Sequence, residues 1–464
     1  MNSFWKSCSR LVAGTMLLGV GLSQAQTSAG VSEAGDQHAA ATFSVSAPAK
    51  AESNQTISSA GKATASPDTG GTNVTLQQLI GVALARNPDI KSAMERYQAQ
   101  RARAPQARSL PDPMVSVGWM GNITPFSVQQ GDPSSYRGVT ASQDLPYPGK
   151  LALRGKIADR QAEAGWWEYE QRRRQIIAQV KAAYYAYFYD TKAIEITKKD
   201  KDLLQKLESI AEARYRVGKG IQQDVLRAQV EVARIDQKLI VFHQEKSTAQ
   251  ARLNTLLYRD PESPLPPPAV VKPADFRHSL EDLYALAHEN DPGLERDRRM
   301  IEGGENSVKL AQKAYDPDFS VAYSYEQRPD MPDMHGVMVG INIPVFYHSK
   351  QREGVIEASH NLNAAHREFD DRWTTVNYEI KQQYLAATAS RDLMNLYSKA
   401  IVPQSSLALE SSMSSYEVGK VDFLSMLDNF IYVLDYEVSY YQELGNFETA
   451  LARLEPLVNT DLTQ

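Results

Sequence analysis

The sequence repeats itself after about 200 residues, and this duplication constrains the fold more than any other feature. The first repeat opens with Leu76, Leu79, Ala83 and Pro88, which correspond at one constant offset to Leu280, Leu283, Ala287 and Pro292. Asp112-Pro113 and Asp316-Pro317 keep that offset, and a Tyr-x-Val-Gly-Lys segment occurs at 215–219 and again at 416–420. The period is much longer than that of a solenoid repeat, so the chain contains two copies of a domain-sized unit.

Each copy predicts the same order of elements: a short helix, a medium helix, two strands and two long helices. The first short helix is expected from about Leu76 to Arg86, because Pro88 opens the next helix. Residues 150–217 contain no proline and no glycine cluster after Gly165, which predicts a helix on the order of 100 Å long. Apolar residues then alternate at spacings of three and four, which predicts coiled-coil packing. They are Val225, Ala228, Val232, Ile235, Leu239 and Phe242, and in the second copy Leu424, Leu427, Ile431, Leu434, Val438 and Tyr441.

Four segments alternate apolar with polar residues, as strands with one apolar and one polar face do. Three begin near Val115, Phe319 and Val337, and the weakest covers 139–142. Strands of about ten residues fit an outer membrane, but four of them cannot close a barrel, and open edges are not tolerated in lipid. Two chains would give a side-chain-filled barrel of about eight strands, whereas three would leave a lumen. We therefore expect a trimer, the alternative being a small soluble sheet on a periplasmic helical bundle.

The N-terminus is typical of an export signal. Lys6 and Arg10 precede an apolar stretch over 11–22, and the small residues at 23–25 suit signal peptidase. The apolar stretch is too short to span a bilayer of about 30 Å. The single cysteine, Cys8, lies within this signal, so the mature chain has no thiol for a disulfide, a metal site or catalysis.

The remaining chain divides into three parts. Residues 26–72 are rich in Ala, Ser, Thr and Gly and predict a disordered tail. The first repeat is assigned to 73–264 and the second to 265–464. The net charge is −6 without a basic stripe, which gives no indication of a nucleic-acid partner.

This layout resembles the TolC-type outer-membrane efflux proteins across essentially all of the mature chain. The resemblance rests on the duplicated halves, the Asp-Pro before each first strand, and Pro146 and Pro344 after each second strand. Gly149-Lys150 at the start of the long helix and the Tyr-x-Val-Gly-Lys turns add to it. The junction at 143–151 is most similar to the heavy-metal, CzcC-like branch.

The resemblance implies a fold that is mainly α with a membrane β-barrel. Each chain of a homotrimer would contribute four strands to a shared 12-stranded barrel in outer-membrane lipid, above a long coiled-coil helical barrel in the periplasm. The periplasmic tip would dock onto a membrane-fusion adaptor carried by an inner-membrane pump, of the RND type. The docking residues implied here are Tyr215, Val217, Gly218, Lys219, Asp224, Tyr416, Val418, Gly419 and Lys420. The alternative is that the two turns are ordinary helix ends without a partner.

Family members close this tip with acidic rings. Asp422 matches one such position, but the acid expected three residues later is Ser425, and Asp428 is the nearest substitute. We expect Asp422 and Asp428 to line the pore aperture and their neutralisation to loosen it, although a solvated acidic helix face is the alternative.

The expected function is a passive exit duct for exported small molecules or metal ions, not an enzyme, and no cofactor is implied. The rivals are the outer-membrane duct of a type I protein secretion system and a periplasmic coiled-coil scaffold. Met331, Met334 and His335 cluster in one loop where soft ligands could sample copper or silver. The same segment is equally typical of a plain extracellular loop, so no metal site is assigned.

Overall fold

The computed structural model describes residues 73–123 and 127–463. The predicted signal peptide at 1–25 and the predicted tail at 26–72 lie outside the described residues. The elements in chain order are α1 Leu76–Arg86, α2 Pro88–Arg108, β1 Met114–Met120, β2 Tyr136–Leu145, α3 Lys150–Arg216, α4 Gln222–Leu256, α5 Leu280–Asn290, α6 Pro292–Gln312, β3 Asp318–Gln327, β4 Met334–Asn342, α7 Gln351–Leu396, α8 Val402–Glu417 and α9 Phe423–Val458.

The two halves begin with the same local chemistry. Helices α1 and α5 are both 11 residues long, and each starts with a reciprocal capping box, Thr75 with Gln78 and Ser279 with Asp282. Helices α2 and α6 are both 21 residues long and carry proline in the first turn, where its missing N–H costs nothing. The predicted order of elements is confirmed in both repeats.

The long helices differ between the repeats. In the first, α3 runs unbroken through 67 residues, as predicted. In the second, a π-helical turn at Tyr397–Ile401 separates α7 from α8. Pro403 follows this turn; because it cannot donate to the carbonyl four residues back, the helix widens before it. The long helix of the second repeat therefore runs from Gln351 to Glu417 with a π-helical turn inside it, which its equivalence to α3 did not predict.

The helices form one layer. We call the part of the layer next to the strands its upper part and the part next to the two Tyr-x-Val-Gly-Lys segments its lower part. In the upper part the neighbouring helices follow the order α2, α3, α6, α7, and in the lower part the order α4, α3, α9, α8. Helices α2 and α7 thus form the two upper edges, and α4 and α8 the two lower ones. The layer is held by three clusters of buried apolar side chains, of which one lies along the lower part of α3, α4, α8 and α9.

The four strands form one antiparallel sheet in the order β1-β2-β3-β4. Its register keeps like residues on one side: Val117 lies opposite Val139, which lies opposite Tyr325. The other side carries small and polar residues, because Ser116 lies opposite Thr140, which lies opposite Ser324. Apolar side chains of the first side, including Val117 and Val337, are exposed.

Lys150 fastens the sheet to the helical layer. Its buried Nζ donates to Asp318 Oδ1 at 2.8 Å and to the carbonyl oxygen of Asp316 at 2.9 Å. Asp318 Oδ1 also accepts from the Tyr147 backbone N–H at 2.7 Å. The start of α3 in the first repeat is therefore tied to the start of β3 in the second.

A buried ion pair locks the C-terminal residues. Lys181 Nζ on α3 lies 2.6 Å from Glu455 Oε2 on α9, and it also contacts Asp461 and Thr463. Glu455 Oε1 accepts from the backbone N–H groups of Leu462 and Thr463. The lysine side chain is 2% exposed and fully paired, so the lock positions the chain end against both repeats.

Within residues 73–123 and 127–463, no helix is both long and apolar enough to cross a membrane.

Candidate functional site

The two Tyr-x-Val-Gly-Lys segments fold into the same turn. In the first, the Gly218 N–H donates to the Tyr215 carbonyl and the Lys219 N–H to the Arg214 carbonyl. In the second, Gly419 and Lys420 make the equivalent bonds. Both glycines have positive φ, 71° and 75°, and this double hydrogen bond is the Schellman ending of a helix. Each motif therefore reverses the chain between two long helices.

Arg214 ties the two turns together. Its guanidinium carbon lies 4.2 Å from the centre of the Tyr416 ring, and its Nη2 donates to the Glu417 carbonyl at 3.0 Å. Tyr416 also packs against Phe423 at the start of α9, with ring centres 5.7 Å apart. One arginine of the first repeat thus holds the helix end of the second.

This contact makes the two tyrosines of the motif unlike one another. Tyr215 is exposed, whereas Tyr416 is buried in the apolar cluster of the lower layer. Tyr416 therefore supports its turn from inside and does not offer surface to a partner. The sequence motif gave no signal of this difference, since both positions are tyrosine.

The outermost residues of the turns present matching apolar surfaces. Val217 and Val418 are each 68% exposed. Lys219 and Lys420 follow them and are also exposed. Two exposed valines, each followed two residues later by an exposed lysine, thus lie at equivalent places in the repeats.

An acidic residue lies just beyond each turn, Asp224 in the first repeat and Asp422 in the second. Asp224, in the first turn of α4, has its pKa raised by burial and further by the charge of Asp422. Asp422 occupies the N-cap position of α9 without a side-chain capping hydrogen bond and is exposed, whereas Asp428 is half-buried six residues further on. Six residues along a helix turn the side chain to another face. The acidic pair at the tip is therefore Asp224 with Asp422, one from each repeat.

Further carboxylates are buried along the helices above the tip. Burial raises the pKa of Asp190 to about 7, assisted by Glu245 and opposed by Lys246. Burial likewise raises the pKa of Asp200 to about 6, with Glu437 adding to the effect. These carboxyls gain and lose protons near neutral pH, so the charge inside the helical layer depends on pH.

The predicted Met-His segment divides between the two sides of the sheet. Met334 lies opposite Glu326 on the polar side of the sheet, whereas His335 lies opposite Tyr325 on the apolar side. The His335 Nδ1 is 2.7 Å from the Tyr323 hydroxyl oxygen. Among the described residues no group of three or more His, Cys, Asp and Glu side chains could hold a metal.

Comparison with known proteins gives one consistent result. Residues 79–257 match the family described as "Outer membrane efflux protein". Over 387 residues, which are 83% of this chain and 90% of the relative, the sequence is 19% identical to the cobalt-zinc-cadmium resistance protein CzcC of Cupriavidus metallidurans. The chain is therefore similar to outer-membrane efflux proteins over most of its length. The family prediction made from the duplicated motifs is confirmed.

Solved structures of outer-membrane and transmembrane-channel proteins share the fold of this chain. The outer membrane protein VceC from Vibrio cholerae superposes with a TM-score of 0.69 at 17% identity, over 83% of this chain and 96% of that one. CusC superposes with a TM-score of 0.71 at 16% identity, over 82% and 91%. The predicted fold of the chain, long packed helices with four strands, is confirmed.

Proposed function

We propose that this chain is one subunit of a trimeric outer-membrane channel and acts as the exit duct of a tripartite efflux pump. Three copies would join their sheets into one barrel in the outer membrane and their helical layers into one periplasmic tunnel. Cargo would be small molecules or metal ions delivered by an inner-membrane pump of the RND type. The duct would be passive, with no catalytic residues of its own.

The observation that carries this proposal is the two-faced sheet with open edges. Its apolar side bears exposed valine, isoleucine and tyrosine, and its other side bears serine, threonine, glycine and charged residues. Such a sheet is unfavourable in water, because exposed edges and exposed apolar faces invite association. Closure into a barrel pairs the open edges, and lipid covers the apolar side.

The internal duplication predicts how neighbouring chains pair. Met114 pairs with Ser142 in the first repeat, and Asp318 pairs with Asn342 in the second. Because Met114 and Asp318 follow the matching Asp-Pro segments by the same interval, Ser142 corresponds to Asn342. Strand β4 is therefore the structural equivalent of β2, and β1 is the equivalent of β3.

The pairing of β2 with β3 joins the two repeats within one chain. It therefore predicts how β4 of one chain pairs with β1 of the next, a junction that we call the seam. Inside one chain, Ser142 on β2 lies opposite Ala322 on β3. The equivalent seam pair is Asn342 with Gly118 of the partner subunit. Ile341 then faces the partner's Trp119, so the apolar sides of both sheets coincide. A seam of this register continues the antiparallel alternation around the ring.

The proposed adaptor-docking surface consists of the two turns. Val217 and Val418 supply apolar contact, and Lys219 and Lys420 supply charge to acidic groups of the adaptor. Gly218 and Gly419 set the turn geometry that exposes them. Tyr215 is available for contact, and Asp224 with Asp422 gives the tip an acidic centre that favours cations.

The experiment is extraction of the mature protein from purified outer membranes, followed by its native mass in detergent and its conductance in planar bilayers. We expect a trimer that conducts. A monomer in the periplasmic fraction would refute the channel. A conducting trimer that co-purifies with an ATP-driven transporter would assign it to type I protein secretion instead.

The docking surface is tested by replacing both exposed valines with aspartate, in the variant V217D/V418D. We expect the trimer and its conductance to remain while cross-linking to the adaptor is lost. The matched control is Ile240→Asp on α4, which changes an exposed apolar residue away from the tip. Unchanged adaptor cross-linking in the double variant would refute docking at the turns.

A further inference from the structure

The polar side of the sheet carries four methionines among otherwise mostly small and polar residues. Met114, Met120, Met334 and Met338 all lie on the side of Ser116, Thr140 and Ser324, and none lies on the apolar side. All four are exposed. An apolar thioether gains nothing from a water-facing surface, where the neighbouring strands carry serine, threonine and glycine. Its distinctive chemistry is a soft sulfur ligand.

Two of these methionines meet at the proposed seam. The register that places Asn342 opposite Gly118 of the partner subunit also places Gly340 opposite the partner's Met120. Met338, two residues from Gly340 on the same side of β4, is then a diagonal neighbour of the partner's Met120. Diagonal pairs have Cβ atoms about 7 Å apart, which long side chains bridge. The spacing leaves room for one ion between two sulfur atoms.

Glycines leave both side chains free to turn toward one another. Gly336 and Gly340 flank Met338 on its own side of β4, and Gly118 precedes Met120 on the same side of β1. Methionine itself is unbranched with three rotatable bonds. Neither thioether is therefore held away from the space between the strands.

We propose that Met338 and Met120 of the partner subunit form a two-sulfur site for soft monovalent cations, Ag(I) or Cu(I), at each seam of the barrel. Thioether ligands select such ions over Zn(II), Co(II) or other harder ions. Three seams give three sites around one lumen. Two neutral ligands bind an ion weakly enough for it to dissociate, which is compatible with movement of the ion through the channel. This inference rests on the proposed trimeric channel.

The test is native mass spectrometry of the detergent-extracted protein after addition of silver nitrate in chloride-free buffer. We expect Met120→Leu and Met338→Leu each to retain three fewer Ag(I) ions per trimer than the wild type. Met300→Leu, which changes an exposed methionine on α6, should bind as the wild type does. After addition of zinc nitrate, the number of bound Zn(II) ions should be the same in the wild type and in the Met120→Leu and Met338→Leu variants.

The outcomes separate the site from the channel. Silver binding that is equal in the wild type and in the M120L/M338L double variant, both trimeric, would overturn the site and leave the channel intact. Loss of Ag(I) ions in only one of the two single variants would overturn the pairing of the two methionines. A protein that is not trimeric would instead overturn the proposed function.

Discussion

The guanidinium group of Arg214 lies 4.2 Å from the centre of the Tyr416 ring and connects the helix ends of the two repeats. The repeat equivalent of Arg214 is Ser415, so no second contact of this kind exists between the turns. We therefore expect the tip to open through loss of this one contact while the two Schellman turns stay intact.

Loss of this tie should widen the tip. In Arg214→Ala we expect a higher single-channel conductance than in the wild type, because the cation-π contact and the hydrogen bond to Glu417 disappear together. The matched control is Arg216→Ala, whose exposed side chain pairs only with Glu212 on its own helix. Equal conductance in the R214A and R216A variants would contradict a role for Arg214 in closure.

The buried Lys181 should contribute far more to stability than its repeat equivalent. Lys181→Met leaves Glu455 buried without its cation, which costs about 3–5 kcal/mol, and we expect a lower melting temperature of the detergent-solubilised protein. Lys381 occupies the matching place in the second repeat but is exposed, so Lys381→Met should melt close to the wild type. Similar melting temperatures for both variants would show that the ion pair with Glu455 does not hold the chain end.

Alanine at the two turn glycines should destabilise the tip. Gly218 and Gly419 have positive φ, so each substitution costs about 1 kcal/mol through backbone strain although the space around both is open. Gly354 lies inside α7, also in open space, and Gly354→Ala should be neutral or stabilising by about 0.5–1 kcal/mol. Hydrogen exchange at the tip distinguishes them: faster exchange in G354A than in G218A would contradict the assignment.

The protonation of Asp190 should make stability depend on pH. Its pKa is about 7 in the folded chain and 3.8 ordinarily, so between these values the folded state holds a proton that the unfolded state has released. Stability from this residue is therefore present at acidic pH and is lost as pH rises through about 7. Asp190→Asn should raise the melting temperature at pH 8 more than at pH 5, by the equivalent of about 1 kcal/mol or more.

The control for this pH dependence is Asp202→Asn, which changes an exposed carboxyl on the same helix. Its effect on the melting temperature should be small at both pH values. A gain in D190N that is equal at pH 5 and pH 8 would mean that Asp190 is ionised throughout this range.

Local patterns predicted the elements well because each depends on nearby residues. Pro88 and Pro292 fixed helix starts, and alternation fixed the strands, including the weak one at 139–142, which the structure extends to Tyr136–Leu145. The uninterrupted stretch after Gly165 predicted α3 almost to the residue. The π-helical turn in the long helix of the second repeat was not predicted, because a single proline, Pro403, changes the helix type before it.

The candidate site was harder to predict because it depends on contacts across the repeats. Tyr215 and Tyr416 have the same motif position, but only Tyr416 lies beneath Arg214, a partner 202 residues away in the chain. The prediction placed Asp422 and Asp428 of one helix at the aperture, and it did not include the electrostatic effect of Asp422 on Asp224 of another helix. Periodicity within a helix carries no information on such pairs. The docking and aperture roles of these residues remain predictions.

The central claim is that β4 of one chain pairs with β1 of the next to close a three-chain barrel. The most direct measurement is disulfide formation in the Gly118→Cys/Asn342→Cys variant in intact outer membranes, read on a non-reducing denaturing gel. The account predicts a covalent trimer that reduction converts to monomer. The account predicts no covalent trimer for the Gly118→Cys/Ile341→Cys variant, because its second cysteine lies on the opposite side of the sheet. A ladder beyond three chains, or no cross-link in the first variant, would contradict the shared barrel.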